Sequence, residues 1–225
     1  MRINIAIDGP SASGKSTIAK RLAEILEYTH IDTGSMYRAT AYKALESKIS
    51  LEDEPALIEM LQNTEFDFTH EGQLIMDGKL IGNEVRNPAC DRGSSLVSRL
   101  QSVRAMLVSI QQKITLKKGF ILDGRDIGTV VLPNAELKIF QVAFLLERAK
   151  RRYEEFQLKG SPLTFDEVYE DLRARDIADS TRIYSPLKKA DDAIELDTSF
   201  LSVDETVNRI LKLYQKTVER LNQHD

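Results

Sequence analysis

Cysteine is almost absent from this 225-residue chain: Cys90 stands alone, so no internal disulfide can form, and the thiol reads as a small packed residue. A lone thiol fits a reducing compartment, and the cytoplasm is the expectation. Histidine is scarce as well, and His30, His70 and His224 lack the spacing of zinc ligands. No apolar run approaches the roughly 18 residues that a membrane-spanning helix needs. Asp8 interrupts the apolar start of the chain, so no signal peptide is expected. Excess positive charge is also missing. With 31 Lys and Arg against 35 Asp and Glu, the net charge is -4, which argues against a protein that coats nucleic acid. Any anionic ligand must therefore meet a local cluster of cations. No internal repeat or low-complexity tract is found, and the length suits one α/β domain with inserts or two small domains.

What the chain does carry is most concentrated in Gly9-Pro10-Ser11-Ala12-Ser13-Gly14-Lys15-Ser16-Thr17, which fits G-x-x-x-x-G-K-[ST]. Residues 3–7 before it are apolar and β-branched, as in a buried strand. After it, Ile18, Leu22, Ile25 and Leu26 recur at helical spacing, which predicts a helix over 15–27. Strand, glycine-bounded loop and helix is the order that a phosphate cradle requires. Glycine lets the backbone wrap closely, successive N–H groups converge on phosphate oxygens, and the positive end of the helix faces the same anion. Lys15 is then expected on the β- and γ-phosphates of a nucleotide, with the Ser16 hydroxyl on Mg²⁺.

Further apolar runs at 29–31, 120–122, 138–143 and 193–196 read as strands of the same sheet. Helical patterns separate most of them, which predicts βαβ units and a mainly parallel sheet. The longest helical stripe, Leu96, Leu100, Val103, Leu107, Ile110 and Ile114, reads as core. Capping boxes at 164–167 and 202–205 open two more helices, the first expected to end near Asp176. Residues 50–82 depart from this alternation. There 54–62 reads as a short helix, and 74–76 and 79–81 flank an Asp77-Gly78 turn, so a small insert standing on the main domain is expected.

Asp32-Thr33-Gly34 closes the second strand just before a helix bearing Arg38, at the end of a parallel sheet where ligands gather. Two readings stand side by side: Thr33 and Arg38 meet a second phosphate group, or the segment is a helix cap followed by a solvated arginine. Asp123-Gly124-Arg125-Asp126 closes the strand 120–122. A carboxylate there suits Mg²⁺ or its water shell; a surface turn is the alternative. Arginines then crowd: Arg148, Arg151, Arg152, Arg173, Arg175 and Arg182. Arg148 and Arg152 share a helix face, with Glu147, Glu154 and Glu155 as expected compensation, and Arg151 reads as solvated. Arg175 reads as a helix end, followed by Asp176, Asp179 and Arg182 in a segment closed by Ser185-Pro186, the pattern of a mobile lid. Together these residues describe a phosphotransferase with two anion sites. A GTP switch would need an N-K-x-D guanine reader, which the chain lacks, and a binder without an acceptor would leave the second arginine set without purpose.

The strings IDGPSASGKST at 7–17, DTGSMYRA at 32–39, DGRDIGTVVLP at 123–133, ARD at 174–176 and SPLKKADDAIELDT at 185–198 together resemble the bacterial cytidylate kinases, within the nucleoside-monophosphate kinases. The resemblance covers residues 5–211. It implies an α/β fold with a core of five parallel strands, as one P-loop kinase domain over 1–225 with an NMP-binding region at about 34–105 and a lid at about 150–185. It also implies transfer of the γ-phosphoryl group of ATP, with Mg²⁺, to CMP or dCMP. By the same resemblance, Gly9 to Thr17 hold the donor, Ser16 and Asp123 the metal, and Lys15, Arg125 and Arg175 serve catalysis. Arg38, Arg125 and Arg175 would hold the acceptor phosphate and Asp179 its sugar. Ser95, Arg104, Asp126 and Arg182 would select cytosine, and Thr33 would line the acceptor site. A monomer working on small nucleotides, without nucleic acid or membrane, is expected; a kinase of this architecture acting on UMP or a small metabolite is the alternative. Two segments depart from the family pattern: 87–94 before Ser95, and Phe144-Leu145-Leu146, where small and acidic residues are expected.

Overall fold

The computed structural model describes residues 1–158 and 160–223, so His224 lies outside the described residues. In chain order the first half comprises β1 (Ile5–Asp8), α1 (Lys15–Leu26), β2 (Thr29–Asp32), α2 (Thr33–Glu46), α3 (Glu54–Gln62), β3 (Phe66–Phe68), β4 (Leu74–Met76), β5 (Lys79–Leu80) and α4 (Pro88–Val97). The second half comprises α5 (Gln101–Thr115), β6 (Phe120–Gly124), β7 (Leu137–Val142), α6 (Leu145–Leu158), α7 (Phe165–Thr181), β8 (Ile194–Asp197) and α8 (Val203–Asn222). A π-helical turn over Ile127–Val131 follows β6.

Five strands pair in parallel in the order β2-β6-β1-β7-β8. β1 is central and buried along its whole length, so it reads as a continuous apolar run rather than an alternating one. On one face Ile3, Ile5, Ile7 and Ile139 pack with Leu22 of α1 and Ile210 of α8. On the other, Ala6, Ile31 and Leu122 pack with Ile127 and Val131. Each such Ile or Leu, fully buried, contributes roughly 2 kcal/mol of transfer free energy. The parallel register pairs Asp32 with Asp123 and Asp8 with Gly124, so the ends of three strands deliver their carboxylates to one edge of the sheet.

A second core joins Met36 of α2, Leu57 and Leu61 of α3, Val97 of α4, and Val103 and Leu107 of α5. The helix and hairpin expected within 50–82 are present, and β3 adds a third antiparallel strand to the hairpin. Leu74 and Met76 lie in that same core, with β4 packed against α2, while β5 is exposed.

Two helix expectations change. The apolar stripe over 96–114 is split between α4 and α5, because Leu100 is extended (φ -77, ψ 120) and α4 packs on α2 while α5 packs on α3. Leu96 is exposed as a result. The helix expected to end near Asp176 runs on to Thr181. Its capping box is formed as predicted, with Thr164 and Glu167 each satisfying the other's backbone N–H.

Candidate active site

The loop between β1 and α1 is shaped by glycine at both ends. A Cβ on Gly9 would lie 2.2 Å from the Gln141 carbonyl oxygen of β7, and Gly14 has φ +88 at the N-cap of α1. Lys15 folds back into the loop, where Nζ donates to the Pro10 carbonyl at 2.6 Å and to Ser13 Oγ at 3.3 Å. It is buried, and burial together with the like charge of Arg125 holds its pKa down to about 7. Ser16 Oγ donates to Asp123 Oδ2 at 2.7 Å, and His30 Nε2 is hydrogen-bonded to Asp123 Oδ1, also at 2.7 Å. Burial alone would raise the Asp123 pKa. The His30 contact, Lys15 and Ser16 outweigh it and hold the carboxyl below the usual range. A hydroxyl beside an ionised carboxylate is a hard-oxygen donor pair of the kind Mg²⁺ takes. Among the described residues no cluster of three or more His, Cys, Asp or Glu could hold a metal by itself.

Across the cleft the arginines are paired with carboxylates. Asp32 caps α2 through Ser35 N at 3.2 Å, and its other oxygen accepts from Arg38 Nη2 at 2.6 Å. Of the second sequence reading, the cap is present, made by Asp32, but Arg38 is paired with Asp32 rather than solvated. Thr33 Oγ1 is buried and donates to the Asp123 carbonyl at 2.8 Å. Arg125 Nε donates to Asp179 Oδ2 at 2.7 Å. Arg104 Nη2 donates to Asp126 Oδ2 at 2.5 Å, and Arg182 Nη2 is 3.6 Å from the other oxygen of Asp126. The Arg104 guanidinium also lies 5.4 Å from the centre of the Tyr37 ring, whose hydroxyl pKa burial pushes up to about 12. Nε of Arg38, Nε of Arg104 and Nη2 of Arg182 are buried and have no hydrogen-bond partner. Arg175 is exposed on α7 and makes no hydrogen bond among the described residues. Ser95 makes no hydrogen bond to this group among the described residues, its Oγ donating to the Asp91 carbonyl of its own helix at 3.3 Å.

The cytidylate kinase family model matches residues 5–216. A cytidylate kinase from Alkaliphilus oremlandii is 48% identical over 211 residues, covering 94% of this chain and 97% of its own length. The chain belongs to the cytidylate kinase family. A second member, from a Geobacillus species, is 47% identical over 219 residues, covering 96% of this chain and 98% of its own. A gluconokinase from Sinorhizobium meliloti shares the fold alone, with a TM-score of 0.52 at 12% identity over 100% of this chain and 98% of that one. The family's reaction moves the γ-phosphoryl group of ATP onto CMP or dCMP, and the chain is a nucleoside-monophosphate kinase.

Several polar residues of this family member escaped the sequence reading. His30, which lacks the spacing of a zinc ligand, braces Asp123. Asp8 marks the end of β1, and its two oxygens accept from Ile127 N and Gly128 N, each at 2.7 Å, so it anchors the π-helical turn after Asp126. A charged residue closing an apolar strand was the available signal. Arg148 is buried and forms a two-pronged pair with Asp176 (3.1 and 2.5 Å), while Nη1 also reaches the Ser11 carbonyl at 3.0 Å. Of the glutamates expected as compensation for Arg148 and Arg152, Glu155 pairs with Arg152 at 3.0 Å, while the carboxylate on Arg148 is Asp176. Arg151 is not solvated either: it is half-buried, and Nη2 donates to the carbonyls of Thr198 (2.8 Å) and Ser199 (2.9 Å). Beside it a cleft of about 440 Å³ opens between Ser13, Gly14 and Thr17 on one wall and Thr198, Ser202 and Thr206 on the other.

Proposed function

We propose that the chain carries out the family's reaction with ATP as donor and CMP or dCMP as acceptor, the donor phosphates in the Gly9–Thr17 loop and the acceptor beneath the arginines of α2, β6 and α7. The carrying observation is the set of buried guanidinium nitrogens on Arg38, Arg104 and Arg182 that have no hydrogen-bond partner. Buried donors of this kind are costly unless an acceptor arrives. Phosphate and the O2 and N3 atoms of cytosine are such acceptors, and Asp126 can accept from the exocyclic amine. In this reading Arg38, Arg125 and Arg175 hold the acceptor phosphate, Asp179 the sugar, and Ser95, Arg104, Asp126 and Arg182 the base, with Thr33 lining the site. Residues 34–105 then form the acceptor-binding region and 150–185 the lid, within one kinase domain. The donor base occupies the cleft beside Arg151.

An acceptor phosphate oxygen, already ionised at neutral pH, attacks the γ-phosphorus. That O–P bond forms as the bond from the γ-phosphorus to the β,γ-bridging oxygen breaks, and ADP leaves. No strong base is needed. Lys15 supplies positive charge along the β- and γ-phosphates, while Arg125 and Arg175 offset the repulsion between the two polyanions and hold them in line. Ser16 and Asp123 would hold Mg²⁺, which when bound neutralises phosphate charge. Closure of the lid excludes water as a competing acceptor. Among the described residues no helix is long and apolar enough to cross a membrane. We read the kinase as a cytoplasmic monomer with no nucleic-acid or membrane partner.

An acceptor panel tests this. With ATP and Mg²⁺, ADP release should be at least about tenfold more efficient for CMP and dCMP than for UMP, because uracil mismatches Asp126. Equal use of UMP, or no turnover with CMP, overturns the reading.

A further inference from the structure

Gln141, the penultimate residue of β7, is fully buried. Its Nε2 donates to two acceptors that belong to opposite walls of the cleft. One is the Ser13 carbonyl in the phosphate loop. The other is Thr198 Oγ1, 3.0 Å away, in the segment that joins β8 to α8. Each acceptor is itself tied into the site. Ser13 Oγ donates to the Pro10 carbonyl at 3.0 Å and accepts from Lys15 Nζ. Thr198 Oγ1 donates to the Val142 carbonyl at 3.2 Å, and the Thr198 carbonyl accepts from Arg151. The backbone of Gln141 serves the same end, since its carbonyl is what forbids a side chain at Gly9.

This arrangement has a cost. Gln141 Oε1 is buried without a partner, a penalty that an apolar side chain of similar volume would not carry. Stability alone would therefore favour Leu or Met at this position. The amide does something those side chains cannot: one nitrogen bridges the loop that would hold the donor phosphates and the wall that would face the donor base.

We propose that Gln141 is a positioning residue that sets the spacing between the phosphate loop and the Thr198 wall, and so governs use of the donor nucleotide but not of the acceptor. The inference rests on assigning the donor base to the cleft beside Arg151.

Gln141→Leu keeps the volume and removes both bonds, and Thr198→Val removes one of them. For Gln141→Leu, the Kd for ATP by calorimetry and the KM for ATP should rise about tenfold, while the KM for CMP stays within twofold. Its melting temperature should equal or exceed that of the wild type. Thr198→Val should give a smaller rise, and the double variant should resemble Gln141→Leu alone, because both act through one bridge. An unchanged ATP affinity in a folded Gln141→Leu protein overturns the inference, as does a parallel rise for ATP and CMP. The acceptor panel on the wild type reports separately on the functional reading, because ATP affinity is measured without any acceptor.

Discussion

At the phosphate loop, the groups that would meet a nucleotide are mostly backbone, fixed before any ligand arrives. Gly9 is pressed against β7, Gln141 and Arg148 reach the carbonyls of Ser13 and Ser11, and Lys15 is stowed on Pro10. On the proposed acceptor side the groups are long side chains, and most are held by aspartates: Arg38 by Asp32, Arg125 by Asp179, Arg104 by Asp126. The difference is physical. A backbone nest loses little conformational freedom on binding, whereas guanidinium groups on flexible stems need carboxylates to keep them near the site without filling it. In the proposed reading the donor end is held by backbone contacts and the acceptor end by side-chain ion pairs.

The sharpest way to break this contrast is at Lys15. Lys15→Ala should lower kcat by about 10³-fold or more, since Lys15 is the one cationic residue in the loop sequence 9–17. Its melting temperature should not fall, because burial already disfavours the ammonium. A folded variant with near-normal turnover would contradict the assignment. Next comes Arg38, where loss of charge-assisted bonds to a phosphate corresponds to about 10- to 100-fold. Arg38→Ala should raise the KM for CMP by that factor and leave the KM for ATP within twofold; equal effects on both would erase the distinction between the two ends.

The smallest effect, about tenfold for each pH unit, is a proton. Burial and the nearby Arg125 charge hold the Lys15 pKa down to about 7, and phosphate oxygens would raise it again. Below pH 7 the ammonium is already present and binding exchanges little. Above it, binding must take up a proton, so ATP affinity should fall by up to about tenfold per pH unit between pH 7 and 9. Calorimetry at pH 8 in buffers of different ionisation enthalpy should show uptake close to one proton, abolished by Lys15→Met. Identical heats in all buffers would refute it.

Much of this fold was legible because the signals are local. The glycine-bounded loop, the apolar strands β1, β6 and β7, and the capping boxes of α7 and α8 each depend on residues a few positions apart. What failed depends on partners far along the chain. No glycine or proline marks the break at Leu100; different neighbours for α4 and α5 decide it. The last turns of α7 look like a loop until Arg148 and Arg125 reach Asp176 and Asp179. Arg151 looks solvated until the carbonyls after β8 fold onto it.

The sequence by itself determined the strand–loop–helix cradle, the parallel sheet and the family, because hydrophobic period, glycine spacing and motif order are written along the chain. Only the tertiary structure decided which carboxylate restrains which arginine, that His30 braces Asp123, and that Gln141 bridges two walls of one cleft. Those pairings join residues up to 128 positions apart, and only the packed core and the register of the sheet bring them within hydrogen-bonding distance.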